Sequence, residues 1–476
     1  MFATGELLNQ YITDSSTTKN AFVQLLGIDR SSFFQILKGK RLPTTLQLNC
    51  ILNNLPISGE EKNHIRDVYL SEKMPTTAYN SRKTIVNLFK ILCRDDASLN
   101  VPSDKDSTSP VHIISTGNTF DSEEKTTVLN GTQQINDFLR SSLFSLLGSD
   151  ISYEIDIFVP ISLLLKLRFF DTIRVLSMDE RSKALTYKHI LKYPAKFSMI
   201  NNDIISDITS YISFLVNVNA DYHSYYYYDP NLTDNSMGLL FPYYILLPDG
   251  ILLLNSSCEK AVFTTDKILH TAYIDEYNSL KDHLASMTEN IENIENTVPY
   301  LTDLPDETKT YYISYLPGLS YLATDELVDA FFPPSERELY KRHYKAFQHT
   351  DYKEFIAPTG ILDIMNDGSF KEFSVIIKAR GLDDNKYLID TVSNRIGKSL
   401  FMADQDVFPI SKNWSVYCIE HDRVIFAPVI KGKKSIVITE KNFVEAFTEF
   451  LENIKDDVIL LDSEICLKEM TKLGAQ

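Results

Sequence analysis

Residues 18–43 have the sequence TKNAFVQLLGIDRSSFFQILKGKRLP, which predicts two short helices joined by a tight turn. Apolar residues recur at helical spacing in both halves of the stretch, so each helix has one face to bury. Between the halves, Gly27 can adopt the left-handed backbone conformation of a sharp turn, and Asp29 can cap the second helix. Pro43 prevents that second helix from running into the next one. The stretch therefore predicts a helix-turn-helix.

The second helix of this motif has a polar, partly basic outward face. Phe33, Ile36 and Leu37 form its inward stripe. The side chains left facing out, in the helix and in the turn after it, are Arg30, Ser31, Ser32, Phe34, Gln35, Lys38, Lys40 and Arg41. Helix-turn-helix proteins place such a face in the DNA major groove. We therefore expect Lys38, Lys40 and Arg41 to contact phosphates, and the polar side chains between residues 30 and 35 to reach base edges.

The stretch resembles the lambda-repressor-like, XRE-type helix-turn-helix family of transcriptional regulators. The residues that stand at the positions of the family pattern are Thr18, Phe22, Val23, Leu26, Gly27, Ile28, Asp29, Ser31, Ser32, Phe33, Ile36, Gly39, Lys40, Arg41 and Pro43. The departures are Lys19 where Gln is common, Val23 where a small Ala is usual, and Leu37 where an acidic residue is common. The resemblance covers only the N-terminal region. It implies a compact helical domain that binds double-stranded DNA as a homodimer, with Lys19 among the contacting residues.

Charge is distributed unevenly along the 476 residues. The formal net charge is −17, yet residues 1–75 carry eight Lys and Arg against seven Asp and Glu. That region is therefore +1, which leaves −18 for residues 76–476. Because a DNA duplex repels an acidic surface, only the N-terminal end is expected to meet DNA.

Composition suggests a folded cytoplasmic protein. A hydrophobic content of 44% suits globular domains with large cores. The five cysteines are widely spaced, without a Cys-x-x-Cys pair, which is typical of reduced thiols. We expect neither a signal peptide nor a membrane span, because no apolar run reaches the roughly 18–20 residues that a span needs.

The remainder of the chain predicts a mixture of strands and helices. We expect a connector helix and linker at 76–110, an α/β sensor or dimerisation domain at 111–300 and an α/β C-terminal domain at 301–476, after a DNA-binding domain at 1–75. Residues 153–159 alternate as a strand, and 242–254 read as a hairpin that turns at Pro248-Asp249-Gly250. The two halves of this body share no convincing sequence repeat. The expected fold class is an all-α helix-turn-helix domain followed by a large mixed α/β (α+β) body of two subdomains.

Tyrosines are densest at residues 225–228. In a strand, Tyr225 and Tyr227 would face one way while Tyr226 and Tyr228 face the other. Together with Tyr243 and Tyr244 they could line a small-molecule pocket, because a tyrosine ring offers an apolar face and a hydroxyl. The alternative is that these rings simply bury both faces of a strand.

The sequence offers little support for catalysis or metal binding. It contains no Gly-x-Gly-x-x-Gly, P-loop, His-Glu-x-x-His or Gly-x-Ser-x-Gly motif, and the nine histidines show no ligand spacing. We therefore expect no enzyme activity, no cofactor and no metal. The sequence favours a DNA-binding transcriptional regulator with an acidic body that senses an effector or oligomerises. Two alternatives stay open: an enzyme that carries a helix-turn-helix docking module, and a protein-interaction adaptor that has lost DNA binding.

Overall fold

The structure is a computed structural model of the full chain. It describes residues 1–476 except 16–17, 95–125, 148–150, 196–199, 219, 231–239, 292–296, 303, 305–307, 319–323, 332–333, 336, 349–350, 368, 373–374, 379–389, 430–432, 455–458 and 475–476. The linker predicted at residues 100–110 lies outside the described residues.

The chain begins with consecutive helices, as the sequence predicts. They are α1 Ala3–Asp14, α2 Lys19–Leu26, α3 Arg30–Leu37, α4 Thr45–Asn54, α5 Gly59–Lys73 and α6 Thr76–Leu92. Local chemistry sets their ends. Thr44 and Ser58 begin α4 and α5 with capping boxes, in which the cap hydroxyl and a side chain three residues later each bond the other's backbone. Pro75 separates α5 from α6, because proline suits the start of a helix and not its interior.

Two mixed sheets form the body. All strands of the first sheet come before Met287 in the chain, and all strands of the second come after it. The first sheet has the order β1-β7-β6-β5-β2-β3-β4-β8. Its strands are β1 Thr126–Asn130, β2 Tyr153–Phe158, β3 Leu185–Pro194, β4 Asp221–Asp229, β5 Tyr243–Leu247, β6 Gly250–Leu254, β7 Lys260–Thr264 and β8 Ala285–Ser286. The predicted strand at 153–159 and the hairpin at 242–254 are confirmed as β2 and as β5–β6.

The second sheet has the order β14-β11-β10-β15-β16-β17-β9, and β12 and β13 form a separate hairpin. The strands are β9 Thr288–Ile291, β10 Lys309–Ser314, β11 Asp351–Ile356, β12 Ser369–Glu372, β13 Val375–Lys378, β14 Leu400–Met402, β15 Trp414–Ile419, β16 Arg423–Pro428 and β17 Ser435–Ile438.

The body repeats one topology twice, although the sequence shows no repeat. Counted from one edge across the sheet, the first sheet runs β1, β7, β6, β5, β2, β3 and β4, and the second runs β9, β17, β16, β15, β10, β11 and β14. In each sheet the last three of these strands are parallel and the other neighbours are antiparallel. The two halves are therefore alike in topology, although no sequence repeat connects them. Strand order is set by pairing partners far apart in the chain, which single-sequence patterns do not reveal.

Helices of the body follow the same plan, since each half places helices between its parallel strands and a helix after its β5–β6–β7 or β15–β16–β17 run of antiparallel strands. They are α7 Thr132–Leu146, α8 Ile161–Lys166, α9 Phe169–Leu176, α10 Asn202–Leu215, α11 Lys267–Lys281, α12 Pro299–Thr302, α13 Asp325–Phe331, α14 Arg337–Gln348, α15 Pro358–Asp367, α16 Lys441–Asn453 and α17 Ser463–Gly474.

The expected fold class is wrong in making the N-terminal helices an all-α domain of their own. Helix α6 packs against α10 of the first half and α16 of the second. The ring of Phe89 lies with its centroid 4.6 Å from that of Phe408 and 6.2 Å from that of Phe447. One buried cluster runs from Leu8 through both sheets to Leu460. The chain is thus an α/β fold with two mixed sheets, onto which the N-terminal helices pack. An apolar stripe predicts that a helix is buried but does not identify the surface that buries it.

Polar contacts join the same surfaces. Arg66 of α5 is 7% exposed, and its guanidinium forms an ion pair with Asp404 at 3.0 Å. The hydroxyl of Ser411 donates to the carbonyl of Leu92, the last residue of α6, at 2.7 Å. These contacts hold the segment between β14 and β15 against α5 and α6. The domain boundaries expected at residues 75, 110 and 300 stay predictions.

A half-buried carboxyl on α10 predicts a pH dependence of stability. Burial raises the pKa of Asp207 to about 7, and the carboxylate of Asp203 adds to the rise. In the unfolded chain an Asp has a pKa of about 4, so between about pH 4 and about pH 7 the folded state binds more protons. Stability contributed by this group is therefore lost as the pH rises through that window, with an upper bound of about 4 kcal/mol.

Replacing Asp207 with Asn should remove this loss. We expect Asp207→Asn to be more stable than the parent at about pH 8 in urea unfolding, and the difference to shrink toward about pH 5. Asp275 is exposed on α11, so Asp275→Asn is a matched control that should follow the parent at both values. Equal stability of Asp207→Asn and the parent at both pH values would contradict the prediction.

Candidate nucleic-acid interface

The turn between α2 and α3 forms as the sequence predicts. Gly27 adopts φ +62°, which reverses the chain at little steric cost. A carboxylate oxygen of Asp29 accepts a hydrogen bond from the backbone N–H of Ser32 at 2.8 Å, which caps α3. The rings of Phe22 and Phe33 meet inside the motif with centroids 6.2 Å apart. These contacts fix the angle at which α3 leaves the turn.

The C-terminal end of α3 is held against the start of α1. Gly39 adopts φ +63°, and its carbonyl accepts from the N–H of Phe2 at 2.9 Å. A Cβ at Gly5 would lie 2.1 Å from the carbonyl oxygen of Ile36, so only glycine allows the two backbones to come this close. Glu72 of α5 in turn accepts from the N–H of Thr4 at 3.0 Å. Helix α3 is therefore positioned by backbone contacts on its inner side.

The outer side of α3 carries most of the predicted DNA contacts. Phe33, Ile36 and Leu37 are buried, as expected. The exposed side chains on the opposite face and in the turn that follows are Arg30, Ser31, Gln35, Lys38, Lys40 and Arg41. The structure thus brings four cations and two neutral polar groups together on one solvent-facing surface, which we name the α3 face. Such a surface suits a polyanion that also offers hydrogen-bonding edges.

Three other predicted contacts are placed differently. The ammonium of Lys19 donates to the side-chain oxygen of Asn9 at 2.5 Å, so it joins α2 to α1. Ser32 and Phe34 are half-buried. The guanidinium of Arg30 lies 5.9 Å from the centre of the Phe34 ring, a cation–π distance. The structure therefore places Phe34 as a support for Arg30 on the α3 face.

The six tyrosines of the predicted pocket lie on two faces of the first sheet. Tyr225, Tyr227 and Tyr244 belong to a cluster with Tyr277. Tyr226, Tyr228 and Tyr243 pack instead against the main core. The structure confirms the alternation of residues 225–228, and it does not bring all six rings together around one cavity. Burial raises the pKa of Tyr227 to about 12, and Tyr228 donates its hydroxyl to the buried carboxylate of Glu440.

A cavity between the two halves of the body was not predicted. It lies beside Trp414 at the start of β15 and beside Lys433 and Lys434 at the start of β17. Two sequence signals mark it: the chain's one tryptophan and the run Lys431-Gly-Lys-Lys, which is basic within an acidic body. Both signals depend on the fold to bring them together, because strand pairing sets the distance between β15 and β17.

Neither a metal cluster nor a membrane helix is found in the described part of the chain. No group of three or more His, Cys, Asp or Glu side chains there could hold a metal ion. No helix among the described residues has the length and apolar character required to cross a bilayer.

Comparison with known proteins gives no family. No protein-family model and no curated protein matches the chain. Among solved structures, similarity is found to phosphatidylserine synthase of Haemophilus influenzae Rd KW20 at 8% identity and a TM-score of 0.23, over 74% of this chain and 93% of that one. Polyphosphate kinase from Porphyromonas gingivalis is similar at 9% identity and a TM-score of 0.22, over 74% and 56% of the two chains. Yeast tyrosyl-DNA phosphodiesterase is similar at 8% identity and a TM-score of 0.18, over 67% and 89%. At these TM-scores the similarities carry no argument about function.

Proposed function

We propose that the protein is a cytoplasmic transcriptional regulator that binds double-stranded DNA through the α3 face. The observation that carries the proposal is the exposure of Arg30, Lys38, Lys40 and Arg41 on one side of a helix whose other side is buried. The contacts to the body described above come from α5 and α6, not from α3. A duplex can therefore approach α3 while the N-terminal helices stay packed on the body.

The charge distribution supports the same role. Phosphate contacts by exposed Lys and Arg supply the sequence-independent part of DNA affinity, and Lys38, Lys40 and Arg41 form a compact group for that purpose. Arg30, Ser31 and Gln35, nearer the start of α3, have the side chains that read base edges in the major groove. The acidic remainder of the chain, at −18, would keep DNA away from other surfaces.

The proposal includes a homodimer and an effector, and it contains no catalytic step. Helix-turn-helix dimers read two half-sites one helical turn apart, about 34–36 Å, so a dimer would select a site with two-fold symmetry. A body of this size, packed directly against α5 and α6, provides a route by which a bound effector would reposition α3.

Selection from a random duplex library by the full chain tests the proposal. We expect enrichment of one motif, with two-fold symmetry if the protein binds as a dimer. A variant with Lys40 and Arg41 both replaced by Ala should enrich nothing. If the parent protein enriches no sequence, the proposal of sequence-specific DNA binding is rejected, and the protein-interaction adaptor is favoured instead.

Replacing Gln35 with Ala should change sequence preference more than general affinity. Gln35 is exposed on α3, and a bidentate side-chain contact to a base is worth about 1–3 kcal/mol of discrimination. Binding measured on the selected site and on single-base variants should lose discrimination at one position, while affinity for unrelated duplexes stays the same. Gln24 is exposed on α2, so Gln24→Ala is the matched control. Equal weakening on every sequence would contradict a base-reading role for Gln35.

A further inference from the structure

A groove on the protein surface, which we name the α4 groove, runs between α4 and the start of α17. One wall is made by α4 and its cap, and the other by residues 460–465. Three of the lining residues are large apolar side chains exposed to solvent: Leu46 at 70%, Leu461 at 39% and Ile465 at 54%. Single exposed apolar side chains are ordinary on a protein surface, whereas three that line one groove indicate a binding surface.

The exposure of these side chains favours a protein partner over a small molecule. Small-molecule sites enclose about 70–90% of the surface of their ligand. The apolar side chains of the α4 groove are themselves open to solvent, so the groove cannot enclose a small ligand to that extent. Helix α4 also carries no charged residue along its length, and the centres of protein–protein interfaces are depleted of charge in the same way.

Both walls of the groove are held in place by hydrogen bonds. Thr44 begins α4 with a capping box. Asp462 caps α17, because one of its carboxylate oxygens accepts from the N–H of Glu464 at 2.8 Å and from that of Ile465 at 3.2 Å. A surface that is already held in shape loses little conformational freedom when a partner docks on it.

The exposed face of α17 has charges that are complementary to themselves. Glu464 and Lys468 are both exposed and lie one turn apart, next to Ile465. Neither forms an ion pair within the part of the chain that the structure describes. A two-fold axis that crosses α17 near position 466 would make the helices of two copies antiparallel, and would set Glu464 of each copy opposite Lys468 of the other. The same axis would bring the two grooves face to face.

We propose that the α4 groove binds a second copy of this chain, in a symmetric dimer that covers Leu46, Leu461 and Ile465 of both copies. Because the groove begins three residues after Arg41, this contact would also fix the distance between the two α3 faces. In assigning the dimer to DNA binding the proposal rests on the proposed function, while the self-association itself does not depend on it.

The size of the groove sets the expected affinity. Thirteen described residues line it, whereas a standard interface takes about 20–30 residues from each partner. We therefore expect a weak dimer, with a dissociation constant of about 1–100 µM. Two copies bound to neighbouring half-sites would meet at a much higher effective concentration, so the dimer would form readily on DNA.

Sedimentation velocity of the full protein without DNA, over about 1–200 µM, measures this association directly. Leu46→Asp should raise the dissociation constant by at least about tenfold, because it replaces an apolar contact with a charge twice in a symmetric interface. Ile268 is 84% exposed on α11, so Ile268→Asp is the matched control and should dimerise as the parent does. Circular dichroism checks that both variants keep the parent fold.

Exchange of the α17 charges tests the antiparallel arrangement, and it remains informative if Leu46→Asp does not fold. Glu464→Lys and Lys468→Glu each place like charges opposite one another, so each should weaken the dimer several-fold. The variant with both changes restores opposite charges across the axis, and it should dimerise nearly as well as the parent.

The proposal is overturned if the parent stays monomeric over the whole range, if Leu46→Asp and Ile268→Asp dimerise equally, or if the double charge variant is weaker than either single variant. A monomeric parent that still enriches one motif from the duplex library would overturn the dimer and leave DNA binding in place. A dimer that depends on Leu46 but enriches no motif would support the α4 groove and reject DNA binding.

Discussion

Replacing Lys40 and Arg41 together with Ala is expected to weaken binding to every DNA duplex by about two to four orders of magnitude. Each side chain should lose one charge-assisted contact to a phosphate, worth about 1.5–3 kcal/mol. Because each contact also releases counterions, the slope of log affinity against log salt should flatten by about 2 units. Titrations of a labelled duplex at several salt concentrations measure both quantities.

The fold of the double variant should be unchanged, because both side chains are exposed. The N–H of residue 40, which donates to the carbonyl of Gln35 at 3.0 Å, is kept by Ala. Lys260 and Lys267 are exposed on the body, and their double Ala variant carries the same change in net charge. That control should bind DNA as the parent does. An unchanged salt slope in the Lys40 and Arg41 variant would reject the phosphate contacts.

Replacing Phe89 with Ala is expected to lower the free energy of unfolding by about 3–5 kcal/mol, the usual cost of removing a buried Phe ring. Phe89 is 1% exposed, and it joins α6 to Phe408 and Phe447 of the second half. Because the N-terminal helices share this core, circular dichroism and Trp414 fluorescence should report one common transition in urea, shifted to lower concentration in the variant.

Lys90 is exposed one residue further along α6, so Lys90→Ala should change stability by less than about 0.5 kcal/mol. Separate transitions of the parent, with Phe89→Ala affecting only one of them, would mean that the N-terminal helices fold independently. That outcome would contradict the shared core described above.

Local chemistry made the N-terminal helices and the α3 face predictable. Gly27, Asp29, Ser58 and Pro75 set turns and caps within a few residues of themselves, so their effects are visible in the sequence. The inward stripe of α3 and its exposed face follow from helical spacing alone. The surface on which the helices pack was not predictable, because a stripe of apolar side chains is compatible with many partners.

Two central strands, β3 and β11, were missed because charged residues interrupt their apolar pattern. Lys188 of β3 pairs with Glu154 of β2 at 2.5 Å. Glu354 of β11 is fully buried and pairs with Arg395 at 2.8 Å. A charge in a buried or half-buried strand is tolerated when a partner compensates for it, and here the partners lie 34 and 41 residues away in sequence. Without the fold, such residues indicate a solvent-exposed loop.

The tyrosine-rich strand was predicted as a strand, and its grouping with Tyr243 and Tyr244 depended on tertiary structure. Strands β2 and β3 lie between β4 and β5, so the two tyrosine groups are not on adjacent strands. Alternation then separates each group between the two faces of the sheet. The cavity beside Trp414 was equally invisible, since its lining comes from residues 215–218, Asn290, Trp414 and residues 433–434, which strand order brings together.

The packing of α6 between the two halves also has a consequence during synthesis. Phe89 leaves the ribosome long before its partners Phe408 and Phe447, which follow about 320 and 360 residues later. At a translation rate of about 5–20 residues per second, the Phe89 side of α6 stays uncovered for roughly 15–70 s before Phe408 and Phe447 are synthesised. Helix α10 is synthesised before Phe408 and Phe447, and it covers another part of α6. The nascent chain therefore leaves the apolar Phe89 side of α6 exposed through most of its translation, and we expect that side to be where a ribosome-associated chaperone would bind.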